Sequence, residues 1–231
     1  LVTGGTGTFG QFFVESLLKY VKPKKIIIFS RDEYKQFKMS ERFKDKSIRY
    51  FLGDVRDFPR LKLAFKDVDY VVHAAALKQV ISSEYNPTET IKTNITGAEN
   101  IIRAALECKV NKVLALSTDK ASSPVNLYGA TKLVSDRIFT AANSYSGEKK
   151  PIFSVVRYGN VMGSRGSIIP FLQEQAESKK NLTITHKEMT RFMISLENAV
   201  ELVWTAFSKM IGGEIFIKKI PSMKIMDIAK T

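Results

Sequence analysis

A chain of 231 residues, 44% hydrophobic and 26% charged, has the length and composition of a soluble globular protein with one substantial core and a smaller lobe attached. No apolar run reaches the roughly 20 residues that a membrane helix needs, and no charged-then-apolar leader precedes the first motif, so a cytoplasmic protein with no membrane partner is expected. The net charge of +13 comes from scattered pairs such as Lys24-Lys25, Lys149-Lys150, Lys179-Lys180 and Lys218-Lys219, with no basic-aromatic module. It reads as solvated surface that also attracts anionic small molecules, and no nucleic-acid partner is expected.

In chain order, Leu1-Val2-Thr3 reads as the tail of a buried strand. Val- and Ile-rich runs then recur at 26–29, 48–52, 70–73, 113–116 and 153–156. Helix-period segments at 11–20, 88–108 and 127–145 separate them and are long enough for crossovers. That alternation predicts an α/β fold, a doubly wound parallel sheet of the Rossmann kind, over 1–158. Over 159–231 the pattern loosens into a Gly-Ser loop, a short helix, strands around Thr183 and Phe216 and an amphipathic helix at 196–209. This region is expected to be the substrate lobe, with chain returning to the sheet. A helix-like start at 225–228 leaves the lobe looking incomplete. The lone Cys108, in a largely apolar helical stretch, is expected to be a buried, inert thiol, and a chain with one cysteine suits a reducing compartment.

The motifs follow the same order. Thr3-Gly4-Gly5-Thr6-Gly7-Thr8-Phe9-Gly10 lies between a strand end and an apolar helix, the context of a dinucleotide fingerprint. Gly4 permits the tight turn, Gly7 lets backbone approach a pyrophosphate, and Gly10 lets helix and strand pack closely, with the helix N-terminus facing the phosphates. The second strand ends in Ser30-Arg31-Asp32. Arg31, with Ser30 and Lys35, suits a ribose 2′-phosphate and predicts NADP, while Asp32 is the acidic residue that an unphosphorylated ribose would favour. Asp54-Val55 after the third strand and Ala74-Ala75-Ala76 after the fourth line the same edge: Asp54 can accept from an adenine amino group or cap a turn, and the alanines leave room for the nicotinamide half.

Tyr128 and Lys132, four residues apart at the start of a helix, share one face. A lysine charge beside the phenol is expected to lower its pKa and free it as a base for a sugar hydroxyl. The fifth strand ends upstream in Ser117-Thr118-Asp119-Lys120. His73 and His186 lack a metal or triad pattern and read as structural, and no metal site is expected.

The stretch LSTDKASSPVNLYGATK (116–132), together with the glycine loop, resembles the extended short-chain dehydrogenases/reductases. Within them it is similar to the UDP-N-acetylglucosamine 4,6-dehydratases that invert C5 and open pseudaminic-acid synthesis. The likeness extends through HAAALKQV (73–80), RYGNVMGSRGSIIP (157–170), MTRFMISLENAVE (189–201) and IPSMKIMDIAK (220–230). The resemblance implies that Tyr128, with Lys132 and Thr118, removes the C4 hydroxyl proton while hydride passes to NADP. Lys120 would then take the acidified C5 proton as Asp119 protonates the departing C6 hydroxyl. It also implies that Lys78 serves cofactor and substrate, that Asn160, Val161, Arg165 and Ile168 surround the sugar and diphosphate, and that the protein is a homo-oligomer. Asn160 can donate and accept, and Arg165 in its Gly-Ser loop, like Arg191, can meet phosphate oxygens. Retaining relatives carry Glu where this chain has Lys120, and larger membrane-bound relatives often carry Met where it has Tyr128. A nucleotide-sugar 4-epimerase shares the oxidation at C4 but needs no acid and base like Asp119 and Lys120. A non-catalytic NAD(P)-binding protein needs no Thr118, Tyr128 and Lys132.

Overall fold

Short runs apolar on every side bury themselves only in a sheet covered on both faces, with helices as the covers. In the computed structural model, which describes residues 1–147, 151–164, 166–178 and 181–230, β1 (Val2–Thr3) leads through the glycine loop into α1 (Thr8–Ser16), whose continuation over Leu17–Val21 widens to a π-helix. Next come β2 (Ile26–Ser30), α2 (Glu33–Arg42), β3 (Ile48–Leu52), α3 (Phe58–Phe65) and β4 (Tyr70–His73). Then α4 (Val80–Tyr85), α5 (Pro87–Ile91), a π-helical turn over Lys92–Thr96 and α6 (Gly97–Glu107) carry the chain to β5 (Lys112–Thr118). A 3-10 turn (Asp119–Ala121) precedes α7 (Leu127–Ala141) and β6 (Ile152–Tyr158).

The remaining elements are β7 (Asn160–Val161), α8 (Ile168–Glu177), β8 (Thr190–Ile194), α9 (Leu196–Lys209), β9 (Ile215–Ile217), β10 (Ser222–Lys224) and α10 (Ile225–Lys230). Seven strands form one parallel sheet in the order β3-β2-β1-β4-β5-β6-β9. The chain winds outward from β1 to β3, then crosses to the other side of β1, so β1 and β4 flank the switch point where open α/β sheets hold ligands. The doubly wound architecture is as expected.

Alternate residues feed opposite cores, as a period of two requires. Val113 and Ala115 of β5, with Phe153 and Val155 of β6, join Leu61, Phe65, Ile101 and Phe139 from α3, α6 and α7. Leu114 and Val156 face the other way, toward Phe13 and Val14 of α1 and Val200, Val203 and Ala206 of α9. The expected helix at 196–209 thus covers the main sheet, and the strand expected around Phe216 extends it beside β6.

Between these returns lies a small sheet ordered β10-β8-β7. Among the described residues no strand forms around Thr183, contrary to expectation. There the Gln175 amide of α8 replaces a strand partner, accepting from Thr183 N at 2.9 Å and donating to Thr183 Oγ1 at 3.0 Å. Cys108 follows α6 half-buried, its thiol donating to the Lys62 carbonyl and pushed up in pKa by burial. Lys24, Lys25 and Lys219 are exposed, whereas Lys149, Lys150, Lys179 and Lys180 lie outside the described residues. No helix among the described residues is long and apolar enough to cross a membrane.

Candidate active site

The carboxyl ends of β1, β4, β5 and β6 open on one edge of the sheet, and most of the chemistry-bearing residues collect there. Gly4 turns the chain at φ +64°, with a side-chain carbon there only 2.8 Å from Ala75 N. At Gly10 the same carbon would lie 2.5 Å from the Gly5 backbone, so α1 seats on its own loop. Gly7 caps α1 without a side chain and is exposed, leaving the first N–H groups of α1 facing an open cradle. Thr6 is buried and its carbonyl accepts from Gln11 Nε2 at 3.0 Å. Thr8 begins α1, and Phe9 stacks on Phe13 and on Tyr158 of β6.

At the end of β2, Ser30 Oγ accepts from Gln36 Nε2 at 3.0 Å. Asp32 is occupied twice, accepting from Lys35 N as the cap of α2 and pairing with Lys35 Nζ at 2.5 Å. Arg31 is half-exposed, 3.7 Å from Asp54 Oδ2. Asp54 is gripped by Arg56 through Nε at 3.0 Å and Nη2 at 2.8 Å. Burial opposes ionisation of Asp54, but the bonds from Arg56 and the charge of Arg31 hold its carboxyl below the ordinary range. Val55 is buried against Gly97, where no side chain fits. Ala74 and Ala75 are partly buried and Ala76 is exposed, giving the edge a shallow floor.

At the end of β5, Thr118 Oγ1 donates to Asp119 Oδ1 at 2.9 Å, and Lys120 Nζ donates to Asp119 Oδ1 and to Asn160 Oδ1, each at 3.1 Å. Asn126 caps α7 by accepting from Gly129 N at 2.8 Å, which sets Tyr128 on the first turn. Gly129 lets α7 touch the Lys120 carbonyl, which a side-chain carbon would approach to 2.4 Å. Burial dominates at the Tyr128 phenol and, with the charges of Asp119 and Asp136, pushes it up to about 12 against the lowering influence of the nearby Thr118 hydroxyl. The expected lowering by Lys132 is not seen: burial and the two carboxylates set the direction of the phenol's shift. Lys132 is itself buried, which pulls its ammonium down against the opposing charge of Asp136.

Beyond the sheet, Val161 follows Asn160 in β7, Ile168 opens α8, and Arg191 of β8 donates to the Thr190 carbonyl at 2.9 Å. Asp119, Lys120, Thr190, Arg191, Phe192 and Ser222 line a cleft of about 190 Å³, so Asp119, Lys120 and Arg191 share one cavity. A wider depression of about 480 Å³, lined by Glu15, Leu18, Lys19, Arg42 and Phe43 of α1 and α2, holds none of these residues. Lys78 is exposed, and partial desolvation with the charge of Lys120 draws its ammonium down. Arg165 lies outside the described residues. His73 is fully buried, bonded to Thr3 Oγ1 at 2.8 Å, and burial with the Lys132 charge lowers it to about 3. His186 Nδ1 accepts from Glu188 N at 3.2 Å and its carbonyl accepts from Met189 N at 3.1 Å. No metal-holding cluster occurs among the described residues.

Sequence reasoning missed Asn94 and the Asp136–Arg157 pair. Asn94, in the π-helical turn, clamps both backbone groups of Leu77 at 2.9 Å and donates to Thr131 Oγ1 at 3.1 Å, fixing α7 against the loop after β4. Nothing in the sequence marks a π turn. The Asp136 position was legible, four residues beyond Lys132.

The family model described as polysaccharide biosynthesis protein matches residues 1–231. A UDP-N-acetylglucosamine 4,6-dehydratase (inverting) of Campylobacter jejuni is 59% identical over 230 residues, covering 99% of this chain and 69% of the relative. A UDP-glucose 4-epimerase of Rickettsia bellii is 48% identical over 233 residues, 100% of this chain and 68% of that protein. The X-ray structure of Pen from Bacillus thuringiensis superposes with a TM-score of 0.96 at 44% identity, covering 99% of this chain and 73% of that one. The family model spans the whole chain, and this chain belongs to the polysaccharide biosynthesis protein family.

Proposed function

We infer that this protein is a UDP-N-acetylglucosamine 4,6-dehydratase that inverts C5, using bound NADP. The observation that carries this reading is Lys120, held at 3.1 Å by both Asp119 and Asn160 where β5 ends. An oxidation confined to C4 has no use for that acid-base pair. The 59% identity to the inverting dehydratase supports the same choice.

The residues fit a dinucleotide. The uncapped N-terminus of α1 at Gly7 would take the pyrophosphate, Arg31 and Lys35 the 2′-phosphate, and Ala74, Ala75 and Ala76 leave space for the nicotinamide. When bound, the cofactor supplies a hydride acceptor for C4, a hydride donor for C6 and a positive ring near the phenol. Tyr128 accepts the C4 hydroxyl proton, with Thr118 and Lys132 stabilising the phenolate that the apolar surroundings oppose. The 3.1 Å contact between Lys120 and Asp119 then lets one proton pass from ammonium to carboxylate. That leaves an amine to take the C5 proton and a carboxylic acid to protonate the C6 hydroxyl as it departs as water. Asn160 keeps Lys120 directed, and Arg191, Arg165, Lys78, Val161 and Ile168 are assigned to the diphosphate sugar. On the family resemblance we further assign the protein to the cytoplasm, to a homo-oligomer and to the opening of pseudaminic-acid synthesis.

The test is the product formed from UDP-N-acetylglucosamine in deuterated water. A 4-keto-6-deoxy sugar of L-arabino configuration with deuterium at C5 is expected. The second reading, favoured by 48% identity to a UDP-glucose 4-epimerase, requires UDP-N-acetylgalactosamine instead. A product that retains the C5 configuration would overturn the inverting role of Lys120.

A further inference from the structure

Beneath α7 lies a buried ion pair that the proposed chemistry does not use. Arg157 of β6 donates from Nε to Asp136 Oδ2 at 2.7 Å, with the two side chains 13% and 1% exposed. Such pairs seldom add stability over apolar residues of equal size, because desolvating two charges offsets their attraction. Placement suggests another reason for this one. Tyr128, Lys132 and Asp136 succeed one another at four-residue intervals on α7 and so share one helix face. The bond from Arg157 reaches one carboxylate oxygen, while the other, Oδ1, is buried with no hydrogen-bond partner among the described residues. A partly unquenched negative charge therefore sits one turn from a lysine that is only 3% exposed.

We propose that Asp136, fixed by Arg157, is a positioning residue that keeps Lys132 an ammonium beside Tyr128 through the catalytic cycle. This rests on the dehydratase reading. The other groups around Lys132 leave that role to Asp136. From β4 comes His73, kept neutral by burial. From β5 and its turn come Thr118 and Asp119, the latter bonded to Lys120, and from β6 come Arg157 and Tyr158, whose phenol burial keeps protonated. The π-helical turn before α6 brings neutral Asn94, and α4 brings Glu84, which accepts from Leu127 N at the exposed start of α7.

The sign follows from these charges. Without the carboxylate charge Lys132 loses its proton at lower pH, and Tyr128, whose ionisation Asp136 opposes, ionises at lower pH as well. Both limbs of the pH profile move the same way. In the NADP-loaded enzyme, Asp136→Asn, which keeps an oxygen for Arg157, should move the alkaline limb of kcat down by about one pH unit with KM within about twofold. A side-chain NMR titration of the cofactor-free protein, with the Lys132 signal assigned through Lys132→Arg, should register the same downward shift. Should the lone guanidinium prevent folding, the double variant Asp136→Asn/Arg157→Met removes both charges and is expected to move both readouts in the same downward direction by a smaller amount, since loss of the Arg157 charge offsets part of the loss of the carboxylate. An unmoved limb together with an unmoved Lys132 titration would overturn the proposal. A wild-type enzyme that forms no 4-keto-6-deoxy sugar would instead overturn the dehydratase reading, and the NMR titration would still decide the effect of Asp136.

Discussion

Replacing Gly129 by Ala separates the geometry of the site from the stability of the fold. The added carbon would stand 2.4 Å from the Lys120 carbonyl oxygen and 3.0 Å from Pro124 Cβ. Contacts to such a carbon are ordinary beyond 3.4 Å, so the turn carrying Asp119 and Lys120 must retreat from α7 by up to about 1 Å. The sheet and both cores stay in place, since the collision involves a surface turn and the first turn of one helix. Overpacking of this size costs about 1–3 kcal/mol, or roughly 2–4 °C of melting temperature per kcal/mol for a chain of this length. The chemistry should suffer more, because a displacement of about 1 Å between acid, base and substrate costs on the order of 10²-fold in rate. Calorimetry beside a turnover assay of the 4-keto-6-deoxy product measures both. A variant with wild-type kcat/KM would refute the claim that this contact sets the spacing between the acid-base turn and Tyr128.

Tyr128→Phe keeps the ring and removes the proton acceptor, so NADP should bind unchanged in a titration while turnover falls by about 10²–10⁴-fold. Arg31→Ala should weaken NADP by about tenfold or more while leaving NAD nearly unaffected, and equal loss for both cofactors would remove the 2′-phosphate assignment. His73 is a pH reporter of folding. Its folded pKa, lowered from 6.5 to about 3, means that the unfolded chain binds the extra proton between those values. Stability is thus complete above about pH 6.5 and falls by about 1.4 kcal/mol per pH unit as pH drops through that window. In denaturant titrations between about pH 5 and 6.5, His73→Gln should flatten this dependence, and an identical slope in wild type and variant would count against it.

The sheet was legible because its strands are buried on both faces. Runs such as Ile26–Ser30 are apolar almost throughout, and no helix of that length would be. The false strand at Thr183 has the alternation of a strand, Leu182-Thr183-Ile184-Thr185, but alternation says nothing about what stands opposite, and there it is the amide of Gln175. Tyr128 and Lys132 were legible from spacing. The direction of the phenol's shift was not, since a sequence does not display the burial that, with the charges of Asp119 and Asp136, raises it. Asp54 shows the same limit, for its grip by Arg56 depends on a turn that brings together residues two positions apart.

The stretch from Gly159 to Ser195 leaves the main sheet after β6 and returns through α9 to β9, the strand next to β6. Its two ends are stitched together at the base, where Asn160 and Val161 pair with Met193 and Ile194 and the backbone at Gly159 meets Phe192 O too closely for any side chain. A closed stem makes the material beyond it interchangeable. Lengthening such a loop costs only about 0.6 kcal/mol per doubling, so natural variation and protein engineers alike can graft a new segment there without rewriting the seven strands below.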